Sequence, residues 1–381
     1  MKILAVDVGT GTQDIFFYDS RLDLENGFKL IMPSPTMIVN RRLREATKRK
    51  DPVLLSGVTM GGGPAAWAVE AHLKAGLPVY ATSDAARTLN DDLEAVTALG
   101  VKLVSQDEAR RLPEAVIRLR MADFDPIALR YALAPFGLTL HGLDAIGIAV
   151  FDHGAAPAGV SDRRFRFDYL DERIRAENRL SAFAYPADRI PPSMTRLQAV
   201  AKSASEIPSS LVVMDTAAAA VLGATLDPMI AQHKRNLIVN VGNFHTLAFR
   251  LGEDGIEGVF EHHTGFLNPP RLEELLRGLA AGTLTNAAVY NDNGHGALVY
   301  AGSPLALDRE DFSLVVTGPR RAMLKGSALK PYFAVPFGDM MIAGCFGLLA
   351  AIADVIPELA ETLRASLAGA GGAGTPPWEV E

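Results

Sequence analysis

Two short stretches of this chain place a polar side chain at the end of an apolar run and follow it with a glycine turn. They are Asp7-Val8-Gly9-Thr10-Gly11-Thr12-Gln13 and Asn240-Val241-Gly242-Asn243-Phe244-His245-Thr246. Glycine has no Cβ, so backbone N–H groups and neighbouring hydroxyls in such a turn can approach phosphate oxygens closely. A carboxylate at the strand end, here Asp7, can orient Mg²⁺ and its waters against those phosphates. One such turn is also what a β-hairpin uses for its conformation alone. Two facing each other would clamp a phosphate chain, with Asp7, Gly9, Thr10, Gly11, Thr12, Gln13, Asn240, Gly242, Asn243 and Thr246 as the contacting residues.

Two further groups of residues are suited to chemistry. Met60-Gly61-Gly62-Gly63-Pro64 opens a helix, and helix N-termini favour negative charge, so Gly61, Gly62 and Gly63 are candidates for an anionic substrate group; a plain turn into the helix is the alternative. Five of the eight histidines (His153, His245, His262, His263 and His295) lie beside glycine, acid or amide residues in loops. Asp152 and His153 are candidate substrate contacts. His262, His263 and His295 are candidate ligands of a transition metal, with Asp152 or Glu261 as ligand or supporting carboxylate. Loop histidines bonded to backbone are the alternative.

The elements that must position these residues alternate between strand and helix. Ile3–Val6 and Ile15–Tyr18 read as a hairpin whose first strand is buried on both faces. Phe28–Met32 and Val53–Leu55 are further strands. Pro64 opens a helix that closes at Gly76, and Leu77–Ala81 returns as a strand, which implies a parallel crossover. Ala145–Phe151 is the next strand. Residues 161–192 are charged and aromatic without clean periodicity and read as an insertion or lid. The opening grammar then returns in Leu211–Asp215, a small-residue helix over 217–224, and the strand pair Leu237–Asn243 and Thr246–Leu251. Phe312–Val316 is another strand, and a Gly/Ala-rich helix follows over 340–353.

The 381 residues exceed one typical core. The reading is α/β, with one domain over 1–205 carrying an insertion at about 155–195 and a second over 206–367. The last helix packs back on the first domain, and 368–381 form a disordered tail. A net charge of -7 with only short basic runs argues against nucleic acid. The longest apolar run is too short to cross a membrane, and no secretory signal is evident, so a cytoplasmic location is expected. The single cysteine, Cys345, excludes an intrachain disulfide and a cysteine-ligated cluster.

The order of these segments resembles the actin, sugar-kinase and heat-shock ATPase superfamily. Asp7–Asp14 and Asn240–Thr246 are similar to its two phosphate loops. Val213-Met214-Asp215-Thr216 is similar to its first connecting segment, Val315-Val316-Thr317-Gly318 to its adenosine segment, and 343–348 to its second connecting helix. Asn240 stands where many members have Asp, and Gly318-Pro319 replaces a Gly-Gly pair. The resemblance implies two actin-like (ribonuclease H-like) domains with ATP and Mg²⁺ between them, and adds Thr216 and Gly318 to the nucleotide contacts. It also implies Asp215 as the catalytic base, a role that fits phosphoryl transfer; an Asp at this position equally N-caps the helix.

More narrowly, 60–64, 151–154, 260–265 and 294–296, with the first loop, resemble a bacterial and archaeal family sometimes labelled pyruvate formate-lyase-activating proteins. That label implies a [4Fe–4S] cluster on three cysteines, which this composition excludes. Three functions follow from the residues. One is an ATP-dependent phosphotransferase or ATPase acting on a small anionic metabolite. Another is metal-assisted group transfer, of the carbamoyl-transfer kind, using the histidine loops. The last is a nucleotide-switched regulator of a partner protein.

Overall fold

A computed structural model describes residues 1–300, 302–307, 312–370 and 376–380. Its first sheet is built on β1 (Lys2–Val8), whose residues Ile3 to Val6 are fully buried. β2 (Thr12–Asp19) and β3 (Phe28–Pro33) add to one side as an antiparallel meander. β8 (Ala145–Val150) and β10 (Ser210–Asp215) add to the other side in parallel, and β9 (Ala184–Pro186) closes the edge. The strand order is thus β3-β2-β1-β8-β10-β9.

The second sheet repeats this pattern. β11 (Asn236–Val241) pairs antiparallel with β12 (His245–Gly252), and β12 with β13 (Gly255–His263). β15 (Leu314–Thr317) and β16 (Tyr332–Phe333) extend it in parallel, while β14 (Gly296–Val299) caps the far edge. Each sheet is a three-stranded meander continued by parallel strands from its first member. The molecule is therefore two actin-like, ribonuclease H-like domains of α/β class.

A third sheet, of β4 (Val53–Gly57), β5 (Val79–Ala81), β6 (Lys102–Leu103) and β7 (Ile117–Met121), is all parallel. With helices α1 (Pro35–Arg49) and α2 (Pro64–Lys74) it has its own core, around Leu43, Val53, Leu55, Val79 and Leu119. This is the large insertion, and it lies between β3 and β8 rather than at 155–195. The 155–195 stretch instead holds α3 (Asp162–Ala176) and edge strand β9, which pairs with β10. The expected boundary near 205 also moves, because Ser210–Asp215 belongs to the first sheet.

Two small-residue helices run between the sheets: α5 (Thr216–Ala224) and α6 (Ala343–Val355); α4 (Thr195–Ala204) packs against β8 and β10. The α5–α6 crossing is so close that a Cβ on Gly223 would collide with the Ala343 carbonyl, and one on Gly347 with the Ala219 carbonyl. Bulkier residues would force the axes beyond the usual 8–10 Å of helix packing. α6 also packs on β1 and β8, where Ile352 and Leu348 approach Gly147. The disorder expected for 368–381 concerns in part 371–375 and 381, which lie outside the described residues; Pro377–Glu379 forms a 3₁₀ turn. Among the described residues, no helix is long and apolar enough to cross a membrane.

Candidate active site

The two glycine turns have the same backbone plan. Gly9 N–H donates to Thr12 O at 2.9 Å, and Gly242 N–H donates to His245 O at 3.0 Å. Each turn joins the first two strands of its sheet, so the duplicated sheets aim them at each other. Contact between them is direct, since a Cβ on Gly11 would strike the Asn243 side chain. The cleft between the domains, about 880 Å³ including its mouth, is lined by Asp7, Gly9, Thr10, Thr12, Thr216, Asn240, Gly242, Asn243 and Gly318. Gly318, at φ 96°, is in the left-handed region, where a side chain would also run into Asn240.

Three expected contacts lie elsewhere. Gln13 alternates to the other face of its strand and donates to Pro33 O at 3.0 Å. Thr246 is buried and hydrogen-bonded to Thr264 at 2.9 Å. Gly11 serves loop-to-loop contact rather than lining the cleft.

Asp7 and Asp14 are opposite one another in the β1–β2 register and so share a face. Thr216 Oγ1 donates to Asp7 Oδ1 at 2.5 Å. The Oδ1 of Asp14 is buried without a hydrogen-bond partner. Burial, with a counteracting bond from Thr216, pushes the Asp7 carboxyl up to about 7. Burial and the neighbouring Asp7 charge push Asp14 up to about 8. Two adjacent carboxylates, one with an orphaned oxygen, form the donor set of a hard divalent cation, so the residues fit Mg²⁺. In the sequence Asp14 is only the last residue of the first phosphate loop, and its place beside Asp7 shows once the hairpin register is set.

Asp215 is committed differently from the expected base. Its Oδ1 caps α5 by accepting from Ala217 N–H at 2.9 Å, and its Oδ2 accepts from Arg166 at 2.5 Å. It does not line the cleft. A general base must be within hydrogen-bond reach of the proton that it takes, and both oxygens of this carboxylate are engaged inward. Arg166, fully buried on α3, also donates to Glu261 on β13 at 3.1 Å. An Asp215–Arg166–Glu261 triad therefore joins the two domains behind the cleft. Burial raises Glu261 to about 7, opposed chiefly by the Arg166 charge.

A smaller recess adjoins the cleft, lined by Gly61, Gly62, Gly63, His153, Thr10, Arg196 and His245. Gly61 N–H is already held by the Asp123 carboxylate at 3.1 Å, and Arg196 grips the same carboxylate at 2.6 Å. The internal Asp123 thus occupies one donor of the expected anion site, leaving the recess to Gly62, Gly63 and His153. Asp152 is no substrate contact: it is buried and accepts from the backbone N–H groups of Gly154, Arg196 and Leu197.

The metal-ligand expectation is revised in one member. His262 and His263 are consecutive on β13 and point to opposite faces. His262 is buried against His263 O at 3.0 Å and Asp292 at 3.4 Å. His263 meets His295 and His245, the last at the start of β12 and paired in register with His263.

Residues 60–323 match the family described as "Putative pyruvate format-lyase activating enzyme (DUF1786)". No curated protein matches the chain. Among solved structures, the ethanolamine utilization protein EutJ from Carboxydothermus hydrogenoformans aligns at 10% identity, covering 91% of this chain and 89% of its own, with a TM-score of 0.31. The ROK hexokinase from Thermus thermophilus aligns at 13% identity over 95% of this chain and 100% of its own, also with a TM-score of 0.31. An exopolyphosphatase-like protein aligns at 9% identity over 97% and 85%, with a TM-score of 0.28.

Proposed function

The chain belongs to the DUF1786 family, and from that premise we propose that it binds a nucleoside triphosphate with Mg²⁺ in the inter-domain cleft and transfers or hydrolyses the terminal phosphoryl group. The observation that carries this reading is the pair of matched glycine turns opposed over the Asp7–Asp14 carboxylates. Backbone N–H groups of the turns, with the Thr10 and Thr12 hydroxyls and the Asn243 amide, are suited to phosphate oxygens. Asp7 and Asp14 would hold Mg²⁺, which when bound neutralises charge on the phosphates. Thr216 orients Asp7 through its hydroxyl. The acceptor fits the recess beside Gly62, Gly63 and His153, and a small anionic metabolite suits those donors.

The activity implied by the family's description has no support in the residues. Its cluster needs accessible thiolates, and the one cysteine, Cys345, is buried in α6 with its Sγ–H directed at Asp14 O and Ala5 O. The test is ATP turnover and ATP binding in Asp7→Asn and Thr10→Val. Loss of Mg²⁺ charge stabilisation should lower turnover by more than about 100-fold in Asp7→Asn. Undiminished turnover there, or no ATP binding by the wild-type chain, would overturn the reading.

A further inference from the structure

His245, His263 and His295 come from three separate segments: the second glycine turn, the end of β13 and the loop before β14. Their nearest ring nitrogens all lie within 4.8 Å of one another. Ring centroids are 5.0 Å apart for His245–His263, 4.9 Å for His245–His295 and 4.6 Å for His263–His295. Tetrahedral coordination with metal–nitrogen bonds of about 2.1 Å sets ligand atoms roughly 3.4 Å apart, within reach of small ring rotations.

Three features separate this cluster from ordinary packed histidines. His295 Nδ1 is buried with no hydrogen-bond partner, and so is the facing Glu261 Oε1, 3.4 Å away. That is the carboxylate–imidazole arrangement that orients a metal-bound histidine, and it leaves Nε2 of His295 for the ion. The cluster also has an apolar wall: Phe151 stacks on His245 at 4.2 Å, and Phe244 and Phe266 approach His263 at 5.6 and 6.0 Å. Finally, His245 lines both the cleft and its recess, so the fourth side of the cluster is open.

We propose that His245, His263 and His295 bind one divalent transition-metal ion of the imidazole-preferring class, Zn²⁺ first, with an open coordination position facing the recess for an oxygen ligand. Three protein ligands and an open position are the pattern of a reactive rather than a structural site. The oxygen ligand is water in the resting protein, and a carboxylate or carbonyl of the acceptor when one is bound. The ion site stands on its own geometry whether or not a nucleotide binds next to it.

The experiment is titration of the full chain with Co²⁺, followed by its visible absorption, with no nucleotide present and Mg²⁺ in excess. One equivalent should give the intense bands of tetrahedral nitrogen coordination and be displaced by Zn²⁺. His263→Ala and His295→Ala should weaken binding at least 100-fold, Glu261→Gln by roughly 10–100-fold, and the remote His141→Ala not at all. Full-strength Co²⁺ binding in His263→Ala, or no such bands from the wild-type chain against the excess of Mg²⁺, would overturn the assignment. Should a variant fail to fold, the wild-type chain labelled with ¹⁵N-histidine decides the matter. Co²⁺ must then perturb three histidines strongly, and uniform weak effects on all eight would count against the site.

Discussion

At the residue scale, the most informative side chain is Asp14. In the metal-free fold its carboxyl stays protonated up to about pH 8, whereas an unfolded Asp ionises near pH 4. Between those values the folded chain holds more protons than the unfolded one, so stability falls as pH rises through the window. Asp14→Asn removes that slope, and its melting temperature should exceed that of wild type by a margin that widens from about pH 5 to about pH 8. Thermal melts across that range check the sign, and a margin that narrows with pH would contradict it. The same substitution should weaken Mg²⁺-dependent nucleotide binding, measured by calorimetry, since it discards a ligand. Stability and function thus pull in opposite directions at one carboxylate, which is the mark of a site built for a cation.

At the element scale, the α5–α6 crossing is the tightest feature. Gly223→Ala must push against a backbone carbonyl, so a loss of about 1–3 kcal/mol or more is expected in urea unfolding. Gly344→Ala would press on the Asp7 carboxylate itself and should impair nucleotide binding beyond any loss of stability. Most of these elements were legible in the residues. The buried strands read as apolar runs, and the hinge helices announced themselves by alanine and glycine. α3 did not, for a physical reason: its buried stripe, Arg166, Leu170 and Ile174, begins with a cation, so apolar periodicity is broken where the helix is most interior. The four-stranded insertion was legible only in part: β4, α2 and β5 read as a parallel crossover, but β6 has only two residues and β7 alternates apolar residues with arginine, so neither stands out as a strand. In the site, spacing found both turns but not which histidines converge, since that depends on strand alternation and on a loop returning from 32 positions beyond His263.

At the scale of the whole molecule, α3 fastens one domain to the other. Besides the Arg166 pair, Arg163 donates to Gly294 O at 2.7 Å and Tyr300 to Asp171 at 2.8 Å. Arg166→Ala would strand Asp215 and Glu261 without their shared cation, a loss of about 3–5 kcal/mol by the behaviour of broken buried ion pairs. Arg166→Met, close in volume, should be milder. Small-angle scattering should show a larger radius of gyration for folded Arg166→Met than for wild type, as the cleft relaxes open. An unchanged radius would mean that the crossing of α5 and α6 alone holds the domains together.

The buried triad has one more consequence. From His295 it runs through Glu261 and Arg166 to Asp215, whose neighbour Thr216 holds Asp7, so one relay touches both the imidazole cluster and the phosphate turns. Two ligands on such a relay share a thermodynamic cycle: the factor by which nucleotide alters Co²⁺ affinity must equal the factor by which Co²⁺ alters nucleotide affinity. Measuring both factors by calorimetry in wild type and in Arg166→Met would show whether the chain computes one binding event in terms of the other. With the relay cut, both factors should fall to one.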